Sequence, residues 1–307
     1  MGISRKNQIA YLIKYSILSR ISDRFKKPLI CGFKITNRCN LKCMHCPFWR
    51  EKDRKEISYP EVLKILNRLY EEGVRIVIFE GGEPLLYKDE VSGKTIRDVV
   101  RYAKERFFYT GITTNGTLPL NKADPDITFI SIDGLKKTHD RIRGKSFDKI
   151  ISNLRNHNLS KKIIVNICIS KLNYGEIPYL IKSLDEMVRG ITVQFFYPYP
   201  DIEDLYLEDE KRKDVLDRII SLKKEGYSIL DSFSCLEGLK KNTWKCRDFL
   251  VSSVDPDGGI NYGCYLKKRV KDISCKYCGF AAHCEVSLAY SFNIQALKAA
   301  KSIFWDK

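Results

Sequence analysis

No stretch of this chain comes near the roughly 20 consecutive apolar residues that a membrane-spanning helix needs, which leaves a soluble or peripheral protein. The N-terminus lacks the cleavage-site pattern of a secretory signal. Methionine is reduced to three residues, and no internal repeat or low-complexity segment interrupts the 307. Hydrophobic residues make up 44% of the chain, enough for a large core, so disorder is excluded. Length does not fix a domain count, because (β/α) barrels of this size form one unit.

Against those absences stand eleven cysteines. Without a secretory signal they are expected in a reducing cytoplasm, where cysteine serves metals and catalysis rather than disulfides. The formal charge is +16, from 54 basic and 38 acidic residues. Such an excess favours a phospholipid surface, a nucleic acid or a phosphorylated substrate without choosing among them, and ordinary solvated charge accounts for it as well. No nucleic-acid recognition module is visible, so nucleic acid is not an expected partner.

Residues 1–27 place Arg5, Lys6, Lys14, Arg20, Arg24, Lys26 and Lys27 around an apolar stripe of Ile9, Leu12, Ile13, Ile17 and Ile21 at helical spacing. Two roles are open to such a helix: lying on an anionic membrane, or packing against the body of the protein. Over 28–232, apolar or β-branched runs at 29–36, 74–80, 108–114, 127–133, 162–170 and 191–197 read as buried parallel strands. Helical stretches near 59–72, 94–106, 147–158, 175–188 and 208–225 separate them. Six such units fit a parallel barrel or an open doubly wound sheet, with functional residues on loops after the strands. Residues 233–307 differ in texture, with five cysteines between 246 and 284 and too little apolar sequence for an independent core, so metal would have to substitute for it. The end of the chain from about 286, with Leu288, Phe292, Leu297 and Phe304, reads as helix packing back on the barrel.

Directly after the first strand comes Cys39-Asn40-Leu41-Lys42-Cys43-Met44-His45-Cys46, a C-x3-C-x2-C run on a loop. Iron–sulfur cubanes normally take four thiolates, so three close cysteines leave one iron unfilled. Zinc on these three cysteines and His45 is the competing set, although adjacent His45 and Cys46 would struggle to turn toward one metal. The run resembles the radical S-adenosylmethionine (SAM) superfamily. That resemblance implies an α/β fold, a partial (β/α)6 barrel with a small Cys-rich C-terminal extension. It also implies a [4Fe–4S] cluster whose open iron binds SAM and cleaves it to a 5′-deoxyadenosyl radical, with a reductase, ferredoxin or flavodoxin as electron donor.

Further motifs support the likeness at the ends of predicted strands. Gly81-Gly82-Glu83-Pro84 resembles the family's GGE motif, whose backbone receives the amino group of SAM's methionine, the glycines permitting close approach. Asn115 lies in Thr113-Thr114-Asn115-Gly116 after the third strand. Ser131-Ile132-Asp133-Gly134 follows the fourth, where relatives place a polar ribose or carboxylate contact, though Ser131 or Asp133 could equally cap a helix. His45 occupies the adenine-side position, and Arg143 is a candidate for SAM's carboxylate or for a surface ion pair.

Cys246, Cys264, Cys275, Cys278 and Cys284 form C-x17-C-x10-C-x2-C-x5-C. With Gly259 this is similar to the G-x4-C and C-x2-C-x5-C elements of twitch and SPASM extensions, which bind auxiliary [4Fe–4S] clusters. Leu288 stands where a full SPASM region has its next cysteine, so one auxiliary cluster is implied, with four of the five cysteines as ligands and the spare one undetermined. A zinc ribbon is the alternative. Cys31, Cys168 and Cys235 are expected as buried hydrophobes.

For the second substrate, the basic N-terminal helix, Cys264-Tyr265-Leu266 and His283-Cys284 partly resemble hopanoid-pathway radical SAM enzymes. This likeness implies a membrane lipid or isoprenoid, an oxidoreductase or transferase reaction in lipid biosynthesis, and a cytoplasmic protein with peripheral contact at the inner face of the membrane. Other small molecules stay open, a peptide or protein substrate is the alternative enzyme reading, and a non-catalytic zinc protein is the third. The barrel mouth is expected to include Asn166, Gln194 and Tyr197.

Overall fold

The structure, a computed structural model, describes residues 4–50, 56–155 and 162–305. Strands β1 (Ile30–Thr36), β2 (Ile76–Gly81), β3 (Tyr109–Thr114), β4 (Ile127–Ser131), β5 (Ile163–Ile169) and β6 (Gly190–Phe195) pair in sequence order, every pair parallel. Between them lie helices α2 (Tyr59–Glu71), α3 (Ile96–Lys104), α4 (Lys136–Arg143), α5 (Phe147–Arg155) and α6 (Ile177–Leu184), with α7 (Asp209–Lys224) after β6 and α1 (Arg5–Ile21) before β1. The six predicted strands are therefore present, with ends shifted by one or two residues. The predicted helix at 147–158 runs past residue 155, and its last three positions lie outside the described residues.

Local sequence explains the elements. Val62, Ile65, Leu66 and Leu69 place one buried stripe on α2. In α3, Thr95 and Asp98 form a capping box ahead of buried Ile96, Val99, Val100 and Ala103. Strand residues alternate in a similar way. On β1, Cys31, Phe33 and Ile35 join the core beneath α2 and α3, while Gly32 and Lys34 face the barrel interior beside Glu80 of β2. The outer faces are sealed, whereas inner-face Thr113, Phe129, Asn166, Cys168, Thr192 and Gln194 are only half-buried, so the sheet curls around an open interior.

The chain after residue 232 builds onto the same sheet and core. Helix α8 (Phe233–Lys241) adds Cys235, Leu236 and Leu239 to the core under β4–β6. Strand β7 (Val251–Val254) lies parallel to β1, and β8 (Ile260–Tyr262) turns back antiparallel on β7. Two helices close the chain, α9 (Ala281–Tyr290) and α10 (Ile294–Phe304). Leu288 packs on the core and Phe304 lies 5.1 Å from the Tyr109 ring, as expected of a helix folding back. Phe292 and Leu297 are instead exposed, because the helix breaks at Ser291–Asn293 and turns those side chains outward.

The edge of β6 is satisfied by side chain and loop. Val193 N–H donates to Asp231 at 2.7 Å, Ile191 exchanges hydrogen bonds with Ser228 and Leu230, and Phe195 N–H donates to Gly279 O at 3.0 Å. Asp231 sits with Glu285 and Cys235 in one buried group. Burial first, then the charge of Glu285, pushes the Asp231 carboxyl up to about 8. The folded chain thus holds this proton more tightly than the unfolded chain, where an aspartate titrates near about 4. The resulting stability is present below that value and lost as pH rises toward 8. Asp231→Asn keeps the acceptor for Val193 without the charge. Its unfolding midpoint should fall less between pH 4 and 8 than that of the wild type, leaving the variant the more stable protein at pH 8. A fall as steep as the wild type's contradicts this assignment.

Candidate functional site

Where β1 ends, the chain is clamped to the end of β2. Gly82 N–H donates to Thr36 O and Glu83 N–H to Arg38 O, each at 2.7 Å. A Cβ on Gly82 would lie 2.2 Å from Arg38 O, and Gly81 has a φ of +152° with a would-be Cβ 2.4 Å from Thr36 O. In this structure the group that the glycine pair admits is the backbone running into Cys39. Glu83 is fully buried and accepts from Thr114 Oγ1 (2.8 Å), Asn115 N (2.8 Å) and Leu85 N (3.0 Å), while burial pushes its carboxyl pKa up. Asn115 in turn donates to Asn40 Oδ1 at 2.8 Å, with its Nδ2 4.0 Å from Cys39 Sγ. Three separate motifs are therefore one hydrogen-bonded unit behind the first cysteine.

The other flank of the loop rests on α4. Met44 N–H donates to Ile142 O at 2.8 Å, and Arg143 Nε donates to the buried Asp133 carboxylate. Asp133 also accepts from Cys168 N at 2.8 Å, and His45 Nε2 lies 3.8 Å from Asp133 Oδ2 and 3.5 Å from Arg143. Burial, reinforced by Arg143, drives His45 down to about 4, so the ring is neutral at pH 7. Burial alone would raise Asp133, but Arg143, His45 and the Cys168 amide hold it below the ordinary carboxylate range. Arg143 is thus a largely buried partner of Asp133 and makes no surface ion pair among the described residues. Asp133 caps no helix by its side chain; its backbone N–H donates to His139 Nδ1. Ser131, the last residue of β4, is buried opposite Asn166 of β5.

Cys39, Cys43 and Cys46 are free thiols on this loop. Burial raises Cys39 and lifts Cys43 to about 11; Cys46 adds to both rises, and Cys39 adds to that of Cys43. Such mutually repelling thiolates are what a bound cation relieves. The Nε2 of His45 is turned to Asp133 and Arg143, which disfavours His45 as a fourth zinc ligand.

In the second group, Cys246 precedes β7, Cys264 follows β8, Cys275 opens a 3-10 turn and Cys278 directly follows it. Gly263 at φ +91° turns the chain into Cys264, and Arg212 holds the turn by donating to Cys278 O at 2.7 Å. Burial raises Cys246 to about 12, and Cys278, Cys264 and Cys275 each add to it. Cys284 is elsewhere: fully buried on α9, it packs against Cys235 and Gly238 in the main core. Cys31 and Cys235 are core residues as expected. Cys168 is not; it is half-buried on the barrel's inner face, close enough to Asp133, Arg143 and Cys46 to feel their charges.

Aromatic rings connect the two cysteine groups. Phe48 packs 6.4 Å from both Tyr199 and Tyr265, and Tyr265 lies 6.0 Å from Phe280. Tyr197, expected at the mouth, is buried in this cluster, with its hydroxyl accepting from Ser274 N at 3.1 Å. Asn166 and Gln194 do face the interior. Lys34 is a site residue that pattern reading passed over, although a lysine inside an apolar strand was a visible signal. It is 4% exposed, its Nζ is 3.5 Å from the Phe48 ring centre, and burial lowers its pKa.

Residues 33–184 match the Radical SAM superfamily. The chain is 29% identical over 249 residues to the Fe-coproporphyrin III synthase of Methanosarcina barkeri, covering 74% of this chain and 58% of that protein. It is 29% identical over 192 residues to the PqqA peptide cyclase of Bradyrhizobium diazoefficiens, covering 57% and 49%. In fold it is similar to Streptococcus suis SuiB bound to precursor peptide SuiA, with a TM-score of 0.65 at 18% identity over 88% of this chain and 65% of the other. The chain thus spans about half to two thirds of the length of these proteins.

The Asp133–Arg143 pair generates a stability prediction. Arg143→Met leaves a buried carboxylate uncompensated and should cost about 3–5 kcal/mol. Adding Asp133→Asn should recover a large part of that loss in denaturant unfolding. The pair's contribution is present above the ordinary aspartate pKa and lost as pH falls through the lowered folded value. Additive losses in the double variant contradict a direct coupling.

Proposed function

This chain belongs to the radical SAM superfamily and is an enzyme, and from that premise we propose that Cys39, Cys43 and Cys46 hold a [4Fe–4S] cluster with one iron open to SAM. When bound, that cluster supplies the electron that cleaves the SAM sulfonium to a 5′-deoxyadenosyl radical. The observation that carries the reading is that the three free thiols sit on one short loop braced by Glu83 and Asn115 on one side and by α4 on the other. The chain's own part is to fix that loop, to keep His45 neutral beside it, and to offer the backbone of Gly81–Glu83 and the polar ends of β3 and β4 to SAM. Asn115, Ser131, Asp133 and Arg143 contribute on this reading chiefly by shaping the pocket.

We further propose that Cys246, Cys264, Cys275 and Cys278 bind one auxiliary [4Fe–4S] cluster, and that Cys284 is the spare cysteine. Burial and the charge of neighbouring thiols raise Cys246, Cys264 and Cys278, with Cys275 among those neighbours, which fits a fully ligated cubane, whereas Cys284 lies in the main core. A ferredoxin, flavodoxin or reductase would deliver electrons.

For the second substrate the half-open inner face, with Glu80, Asn166, Cys168 and Gln194 and with Lys34 buried beneath it, is the receiving surface. A peptide is the favoured class, supported by the peptide named for the cyclase and for SuiB. The isoprenoid expectation gains no support from these relatives. Two residues that carried it, Leu266 and Cys284, serve in hydrophobic packing.

Anaerobically reconstituted, dithionite-reduced protein should release 5′-deoxyadenosine from SAM, and Cys→Ser at 39, 43 or 46 should abolish it. Cys284→Ala should keep about eight irons per chain, the sum of two cubanes, whereas Ser at Cys246, Cys264, Cys275 or Cys278 should leave about half. Undiminished cleavage in the first three variants sinks the cluster assignment, and stoichiometric zinc in the C-terminal group replaces the auxiliary cluster with a zinc site. In a deletion strain the altered molecule should be a peptide, found by comparative mass spectrometry. A change confined to lipids would reverse that choice.

A further inference from the structure

Helix α1 is mounted with its aliphatic face outward. Ile9, Ile13, Ile17 and Ile21 are 43%, 55%, 53% and 73% exposed, a row about 18 Å long at four-residue spacing. The side turned to the body is polar and aromatic. Gln8 accepts from Tyr109 OH (3.1 Å) and Trp305 Nε1 (3.0 Å), Tyr11 OH donates to Gly73 O (3.2 Å), and Ser19 Oγ meets Tyr290 OH (3.1 Å). The helix is therefore anchored through specific hydrogen bonds that fix its rotation, and it does not pack in the usual sense of burying its isoleucines.

Charge accompanies the row. Helix α1 carries Arg5, Lys6, Lys14 and Arg20 and no acidic residue, and Arg24, Lys26 and Lys27 follow with Asp23 as the one acid. Lys6 and Lys14 are exposed and make no ion pair among the described residues. Arg20 lies 4.3 Å from the ring centres of both Tyr290 and Phe292, which ties α1 to the start of α10, where Ile294 and Leu297 are also exposed beside Lys298.

We propose that this face docks on an anionic phospholipid bilayer, with the isoleucine row at the headgroup–acyl boundary and the lysines on the acidic headgroups. A protein partner would be expected to meet aromatic anchors, which enrich interface cores; the row is purely aliphatic and ringed by positive charge. No helix among the described residues is long and apolar enough to cross the membrane, so the contact is peripheral. The inference is independent of which substrate the barrel receives.

The test is co-sedimentation of the reconstituted protein with vesicles of phosphatidylglycerol and phosphatidylcholine in equal parts, and with phosphatidylcholine alone. Wild type should pellet with the first and not the second, and should be released as salt rises from about 0.1 to 1 M, where the screening length drops from about 10 to 3 Å. Ile13→Gln with Ile17→Gln should weaken binding about tenfold or more, since each isoleucine loses a burial contribution. Lys6→Gln with Lys14→Gln should weaken it and reduce the salt dependence. Unchanged circular dichroism and SAM cleavage would show that both variants fold. Equal binding by the isoleucine variant, or no preference for the anionic vesicles, overturns the proposal. So does a dimer that the isoleucine variant dissolves without any vesicle binding, which would assign the face to a second copy.

Discussion

A single buried carboxylate organises the reactive end of this barrel. Asp133 can stay ionised inside the protein because Arg143, the Cys168 amide and the nearby His45 surround it. Each of those partners belongs to a different segment: α4, β5 and the cysteine loop. Meeting the charge therefore fixes their mutual positions, and Met44 is then drawn onto the end of α4 by its hydrogen bond to Ile142. Buried charges add little net stability, but they penalise every arrangement in which a partner is missing. That penalty suits a loop whose three thiols must converge.

The opposite wall of the loop relies on close backbone approach. At Gly82 even a methyl group would collide with Arg38 O, and Glu83 then spends its hydrogen-bonding capacity on Thr114, Asn115 and Leu85. Between these two walls the interior stays half open while the outer strand faces are sealed against helices. The same sheet extends past β1 through β7 and β8, which brings the second cysteine group alongside, and the rings of Phe48, Tyr265 and Phe280 fill the space between them.

Most of the barrel was legible in the sequence because its outward strand residues are long β-branched runs, and the motifs after β1 to β4 fall where parallel strands place function. Helix α4 was not, since among its eight residues only His139 and Ile142 are buried and no apolar stripe marks it. Spacing could not separate Cys284 from its four neighbours; only the packing against Cys235 does. The stripe on α1 was visible, but its orientation was not, because the anchoring contacts of Gln8, Tyr11 and Ser19 come from residues 62 to 297 positions away in sequence. Arg143 is expected at SAM's carboxylate or in a surface ion pair, and its partner in the fold is the carboxylate of Asp133 at the end of β4.

On this reading one cysteine group leaves an iron open and the other does not. Electron paramagnetic resonance of the reduced, reconstituted protein with and without SAM addresses it directly. One [4Fe–4S]+ signal should shift when SAM is added while a second stays unchanged. A spectrum indifferent to SAM, or one in which every signal shifts, would contradict the division of roles between Cys39, Cys43 and Cys46 and the C-terminal four.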